Sequence, residues 1–155
     1  MSPLPPAKRG MYFEEFAAGQ KINTASRTIT ETDIVMFAGL SGDFNQIHVD
    51  AEYSKTTPFG QRVAHGLLGL SIASGLVVQT GMMEGTIMAF REVNEWKFIK
   101  PIYIGDTIHV KKRVTEKQEK SLQRGLITFD TKVFNQDNEA VLVYQDKLLI
   151  QRKTA

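Results

Sequence analysis

The chain contains no cysteine. That excludes disulfides, iron–sulfur clusters, cysteine-ligated zinc and thiol nucleophiles together. Charge of one sign is also scarce: 19 Lys and Arg stand against 17 Asp and Glu, a net charge of +2. A domain whose main partner is nucleic acid carries a basic patch or stripe, and so small a surplus does not argue for one. Long hydrophobic runs are missing too. The longest, GLLGLSIASGLVV from Gly66 to Val78, is interrupted by serines and falls short of the roughly 20 residues that a spanning helix needs. The N-terminus, MSPLPPAKRG, has no apolar core, so a signal peptide is not expected. Its prolines mark residues 1–11 as a loose arm outside the fold. The expectation is a soluble, cytoplasmic protein with neither a nucleic-acid nor a membrane partner.

What is present fits one ordinary globular domain. The 155 residues are 42% hydrophobic and 23% charged, within the usual range of about 100–200 residues for a domain. Residues 20–30 are rich in β-branched side chains and read as a strand. Thr30 or Thr32 can then cap a helix, with Ile34, Phe37, Ala38 and Leu40 as its apolar stripe and Gly39 and Gly42 at its end. Residues 44–64 are polar and irregular, with a short helix expected at 51–55. Residues 66–80 read as a helix apolar on all sides, and such a helix lies in a core. After Gly81 the pattern has period two, with strands over 86–99, 107–115, 126–134 and 141–151. A polar turn, EKQEKS, separates the second and third of these. Successive strands joined by short turns predict an antiparallel sheet of about five strands covering one long helix, an α+β architecture.

Reactive side chains concentrate in SGDFNQIH, Ser41 to His48. Asp43 and His48 would face different ways on a continuous helix, but a turn at Gly42 can bring both to one pocket. A carboxylate and an imidazole together can handle one water, one taking its proton while the other orients or donates. The same two residues could equally be a turn-capping Asp and a satisfied surface His. At Ala64-His65-Gly66 the long helix begins. Free N–H groups and the helix dipole favour negative charge there, and Gly66 lets a substrate carbonyl approach closely. The alternative is a glycine required only because the sheet crowds the start of the helix. Asp43, His48 and Asp50 lack the spacing of a metal site, so no metal is expected. His109 falls on the polar face of a strand. Lys111, Lys112 and Arg113 form a small basic run. No P-loop and no Gly-x-Ser-x-Gly elbow occurs.

The segment FAGLSGDFNQIHVDAEYS, residues 37–54, closely resembles the signature of the MaoC-like dehydratases, also called (R)-specific enoyl-CoA hydratases. Gly42, Asp43, Asn45, Ile47, His48 and Ser54 fall in place. Val63-Ala64-His65-Gly66 matches the family's His-Gly, and PIYIGD from Pro101 to Asp106 matches its Pro…Gly-Asp turn. The resemblance covers roughly residues 12–150. One departure stands out: Gln46 occupies the position of the family's proline, which puts the stiffness of the Asp–His loop in question.

The resemblance implies a hot-dog fold over residues 12–152, a sheet wrapped round the helix 66–80, and a homodimer with acyl tunnels near the interface. It implies reversible hydration of a trans-2-enoyl thioester of coenzyme A to the (R)-3-hydroxyacyl thioester. No cofactor is implied, since coenzyme A is part of the substrate. Asp43 would take a proton from water, His48 would orient that water and deliver a proton to C2, and the N–H of Gly66 would stabilise charge on the thioester oxygen. Asn45 would shape the loop, and Ser74 would hydrogen-bond Asp43. An acyl tunnel would place the pair in a partly dry pocket and raise the Asp43 pKa. The rivals are a hot-dog thioesterase and a non-catalytic acyl-CoA-binding module. The first typically carries a carboxylate on the central helix, and none occurs between Gly66 and Thr80.

Overall fold

The extended stretch after Gly19 does not run as one strand. In a computed structural model that describes residues 8–153, it divides into β1 (Lys21–Asn23) and β2 (Arg27–Thr28). Thr24 explains the break. Its N–H donates to the Val110 carbonyl at 3.0 Å, while its Oγ1 accepts from the Val110 N–H at 2.9 Å. A hydroxyl thus takes the place of a backbone acceptor in the ladder, and the chain bends around it.

Helix α1 (Glu31–Ser41) starts at Thr30, whose hydroxyl accepts from the Asp33 N–H while the Asp33 carboxylate accepts from the Thr30 N–H. This reciprocal pairing satisfies two N–H groups that a helix start leaves free. Ile34 and Ala38 are buried and Phe37 is half-buried, but Leu40 is 84% exposed, so the stripe is narrower than expected. Gly39 lies inside the helix. Gly42 ends it in the left-handed region at φ +78°.

The polar stretch that follows carries two short helices, α2 (Gln46–Val49) and α3 (Ala51–Lys55). Helix α4 (Gly66–Gln79) is the long one. It buries Leu68, Ile72, Ala73, Leu76 and Val77, but Leu67 and Val78 are exposed at 54% and 63%. The expectation of burial on all sides therefore fails for the described chain, because the sheet covers only the other side of the helix.

Four long strands complete the fold: β3 (Ile87–Phe98), β4 (Thr107–Glu119), β5 (Arg124–Phe134) and β6 (Ala140–Gln151). The sheet has six strands, in the order β1-β4-β5-β6-β3 with β2 also on β4, and every pairing is antiparallel. Most of the expected EKQEKS turn is strand, since β4 pairs with β5 as far as Glu119 opposite Gly125. Cross-strand pairing overrides the polar composition there. Alternate residues face α4: Ile108, Val110 and Val114 from β4, Phe129 and Val133 from β5, and Leu142, Leu148 and Ile150 from β6 are all buried. Lys112 and Asp146 share that buried face and form an ion pair, which Thr131 completes by donating its hydroxyl to the same carboxylate. Among the described residues no helix is long and apolar enough to cross a membrane.

Part of the segment expected as a loose arm, residues 1–11, is bonded to the fold. Residues 1–7 lie outside the described residues, but Gly10 and Met11 donate backbone hydrogen bonds to Gly81 and Met82, and Met11 is buried.

Candidate active site

The segment leaving α1 is built from side-chain-to-backbone turns. The Ser41 hydroxyl caps back onto the Phe37 carbonyl and accepts from the Asp43 N–H, and Asp43 Oδ1 accepts from the Asn45 N–H at 3.2 Å. Asn45 then serves as the N-cap of α2, its side chain accepting from the Ile47 N–H. Short polar side chains are suited to such turns because they replace backbone partners locally. Asn45 is thereby committed to shaping the loop. Gln46 occupies the first position of α2, and among the described residues its N–H has no acceptor.

This path brings Asp43 and His48 together. Asp43 Oδ2 lies 3.9 Å from His48 Nε2. His48 is buried at 7% exposure, whereas the Asp43 side chain is 52% exposed. The partly dry setting expected for the carboxylate thus holds for the imidazole and not for Asp43, because Asp43 sits on the open turn after α1. His48 Nδ1 lies 2.8 Å from the Val63 carbonyl. A carbonyl only accepts, so Nδ1 carries the hydrogen, and in the neutral ring Nε2 presents a lone pair toward Asp43. Burial holds the His48 pKa below its usual value. The Val63 carbonyl and the Asp43 charge pull it upward, and neighbouring His65 pushes it down.

Three residues hold the backbone at and around His48. Arg62 Nε donates to the His48 carbonyl at 2.7 Å while its other arm pairs with Glu31. The Val63 N–H donates to the Ile47 carbonyl. Ser54, fully buried, donates to carbonyls at the α2–α3 junction. The signature covered Ser54, but Arg62 carries no local signal, since its contact is 14 residues away in sequence.

Beside His48 a cavity of about 490 Å³ opens, lined by His65, Gly66, Phe98, Ile102 and Leu142 among others. The lining is largely apolar, as small-molecule pockets commonly are. Gly66 begins α4, and its N–H has no acceptor among the described residues. Both readings of this glycine hold geometrically. A Cβ here would meet the Phe98 ring at 2.1 Å, so the position must be glycine for this packing, and the free N–H remains at the helix start. Phe98 reads in the sequence only as part of the 86–99 strand and not as a site residue, because only the pairing of β3 with β6 carries it to the mouth of the helix.

Ser74 is not part of this arrangement. It lies eight positions along α4 from Gly66, about 12 Å at 1.5 Å per residue, and faces a separate depression with Val77, Lys112 and Tyr144. The hydrogen bonds of Asp43 go to Ser41, Asn45 and His65. His109, on the polar face of its strand, is nonetheless half-buried against Phe134 with ring centroids 5.6 Å apart.

Asp43, His48 and His65 offer ligand atoms within 4.8 Å of one another. They do not suit a metal. His65 Nε2 is occupied by the Asp43 carbonyl at 2.9 Å, and the two imidazoles stack at 3.7 Å with 24° between their planes, so they do not converge on a common point.

The MaoC-like domain model matches residues 14–136. The chain belongs to the MaoC-like family. It is 39% identical over 104 residues to an (R)-specific enoyl-CoA hydratase of Rhodospirillum rubrum, covering 67% of this chain and 69% of that protein. It is 42% identical over 113 residues to protein MaoC of Klebsiella aerogenes, covering 71% of this chain; the match spans only 33% of that longer protein. Among solved structures, an Archaeoglobus protein described as a monoamine oxidase regulatory protein superposes with a TM-score of 0.88 at 39% identity, covering 95% of this chain and 98% of that one. The fold is the hot-dog fold that the resemblance implied.

Proposed function

We propose that the protein catalyses reversible hydration of trans-2-enoyl-CoA to (R)-3-hydroxyacyl-CoA. The observation that carries this reading is the Asp43–His48 pair at 3.9 Å, placed beside an apolar cavity at whose edge the Gly66 N–H is free. The relative in Rhodospirillum rubrum, named as an (R)-specific enoyl-CoA hydratase, supports the substrate class and the stereochemistry.

The hydrogen-bonding of His48 supports one division of roles. Because Nδ1–H is committed to the Val63 carbonyl, neutral His48 accepts a hydrogen bond at Nε2 and orients the water. Asp43 takes the proton of that water as its oxygen bonds to C3. The C2=C3 electron pair moves toward the thioester, and the Gly66 N–H stabilises the charge on its oxygen. Asp43, and not His48 as the resemblance implied, then returns the proton to C2, since the one N–H of neutral His48 is held by the Val63 carbonyl; OH and H add to the same face and the carboxylate is regenerated. An oxyanion donor of this kind is worth about 2.7–4 kcal/mol. We further propose that the acyl-CoA-binding assembly is a homodimer, which accounts for the exposed Leu67 and Val78 flank of α4.

Crotonyl-CoA tests the reading, with the enoyl ultraviolet band and free thiol followed together. The wild type should bleach the band without releasing thiol, and D43N should lose roughly 10²–10⁴-fold in rate. Thiol release would instead identify a thioesterase. Full activity in D43N would overturn the assignment.

A further inference from the structure

We propose that His65 is a positioning residue that holds Asp43 and His48 in register for a single water. This rests on the hydratase reading above. His65 is the N-cap residue of α4, yet its side chain makes no capping bond to that helix. Histidine is not a favoured N-cap, and a ring that only started the helix would be expected to bond one of its free N–H groups. Instead Nε2 lies 2.9 Å from the backbone carbonyl of Asp43, 22 residues away, and a carbonyl partner makes Nε2 the donor. The other ties on Asp43 come from its own loop, from Ser41 and Asn45. The bond from His65 therefore joins the open turn to the rigid end of the central helix.

The ring does a second job. It stacks on His48 at 3.7 Å and 24° and is backed by Phe37 at 5.0 Å, so the His48 plane is clamped between the Val63 carbonyl on its edge and His65 on its face. His65 is 2% exposed, and among the described residues its Nδ1 is buried without a partner. Leaving that nitrogen unpartnered is unfavourable, and no helix or sheet contact explains it. A side chain that both donates at its tip and stacks through its face accounts for the arrangement, since displacement of a reacting group by about 1 Å can cost on the order of 10²-fold in rate.

Two substitutions separate the jobs. H65F keeps an aromatic face and loses the donor. H65Q keeps a donor at nearly the same place and loses the ring. In crotonyl-CoA hydration by the full chain, H65F should lower kcat about 10- to 100-fold with KM little changed, and H65Q should recover part of that loss. The groups facing His48 are Asp43 and His65, with Arg62 on its backbone. His65 pushes the His48 pKa down, so in both variants the acid limb of the kcat–pH profile should move to higher pH. Thermal melting is measured alongside. If melting falls but kcat per folded molecule and the pH profile match the wild type, His65 is merely structural and the proposal is overturned; H65Q decides this alone if H65F does not fold. D43N keeps the two ideas apart. An inactive D43N with wild-type H65F and H65Q sinks only the positioning role, whereas a fully active D43N sinks the hydratase reading itself.

Discussion

Gln46 stands where the family signature has proline, and the structure makes that substitution easy to interpret. The residue occupies the first position of α2 with its N–H unused, and Asn45 before it lies at ψ 137°, the extended conformation that a following proline demands. Restoring the proline should therefore leave the folded loop unchanged and restrict only the unfolded chain. Q46P is expected to raise stability by about 0.4–1 kcal/mol in urea unfolding, with kcat preserved. Gly66 behaves in the opposite way. In G66A the new methyl must displace the Phe98 ring, whose far edge is what it meets, so the ring should swing into the cavity and raise KM for crotonyl-CoA. F98A should have little effect alone and should relieve G66A, giving a non-additive double-mutant cycle. Asp43, His48 and Gly66 stood out in the linear sequence as candidates, because their residue types and spacing fit a turn and a helix start, and the family resemblance attached roles to them. Phe98 and Arg62 did not, because their contacts to the site are made only across distant segments.

At the scale of elements, α1 presents the turn that carries Asp43. Its start was legible from Thr30 followed by acidic residues, and its end from Gly42. Removing the Thr30 hydroxyl breaks the reciprocal cap, so T30A should cost about 0.5–2 kcal/mol, read from the denaturant midpoint at unchanged slope. The long central helix was legible to within a residue, because small and apolar side chains run without a charge from Gly66 to Gln79. Its serine was misplaced. Resemblance put Ser74 against Asp43, and the rise of the helix carries it too far. The 20–30 strand and the 116–121 turn were misread for a related reason. Pairing with a neighbour decides where a strand bends or continues, and Thr24 and Glu119 reveal their partners only in the sheet.

For the molecule as a whole, two features tie distant parts together. Under α4, Lys112 and Asp146 form an ion pair among apolar neighbours, with Thr131 as a third partner. Removing one charge strands the other, so D146A should be destabilised by about 3–5 kcal/mol, whereas the K112M/D146L pair should fall much less. At the chain ends, Arg152 and the Lys153 N–H bond to Glu14. Burial pushes the Glu14 carboxyl up, but these bonds outweigh it and bring the pKa down to about 2 from 4.5. A depressed carboxylate pKa stabilises the fold above the unfolded value and is lost as pH falls through the folded one. Melting temperature should therefore drop between about pH 4.5 and 2, and E14Q should flatten that drop.

Local rules acting along the chain were sufficient for the fold class, the central helix and the period-two strands, and they brought Asp43 and His48 forward as a candidate pair. Hydrophobic period, caps and turn residues act over a few positions, and the Asp43-to-His48 spacing lies within that range. Tertiary structure alone decided that Asp43 is open while His48 is buried, that Phe98 covers Gly66, that Ser74 lies outside the site, and that His65 bonds the Asp43 backbone. Each of these depends on which distant segment lands against the residue. Burial and contact arise from packing the sheet around α4, and sequence spacing does not encode them directly.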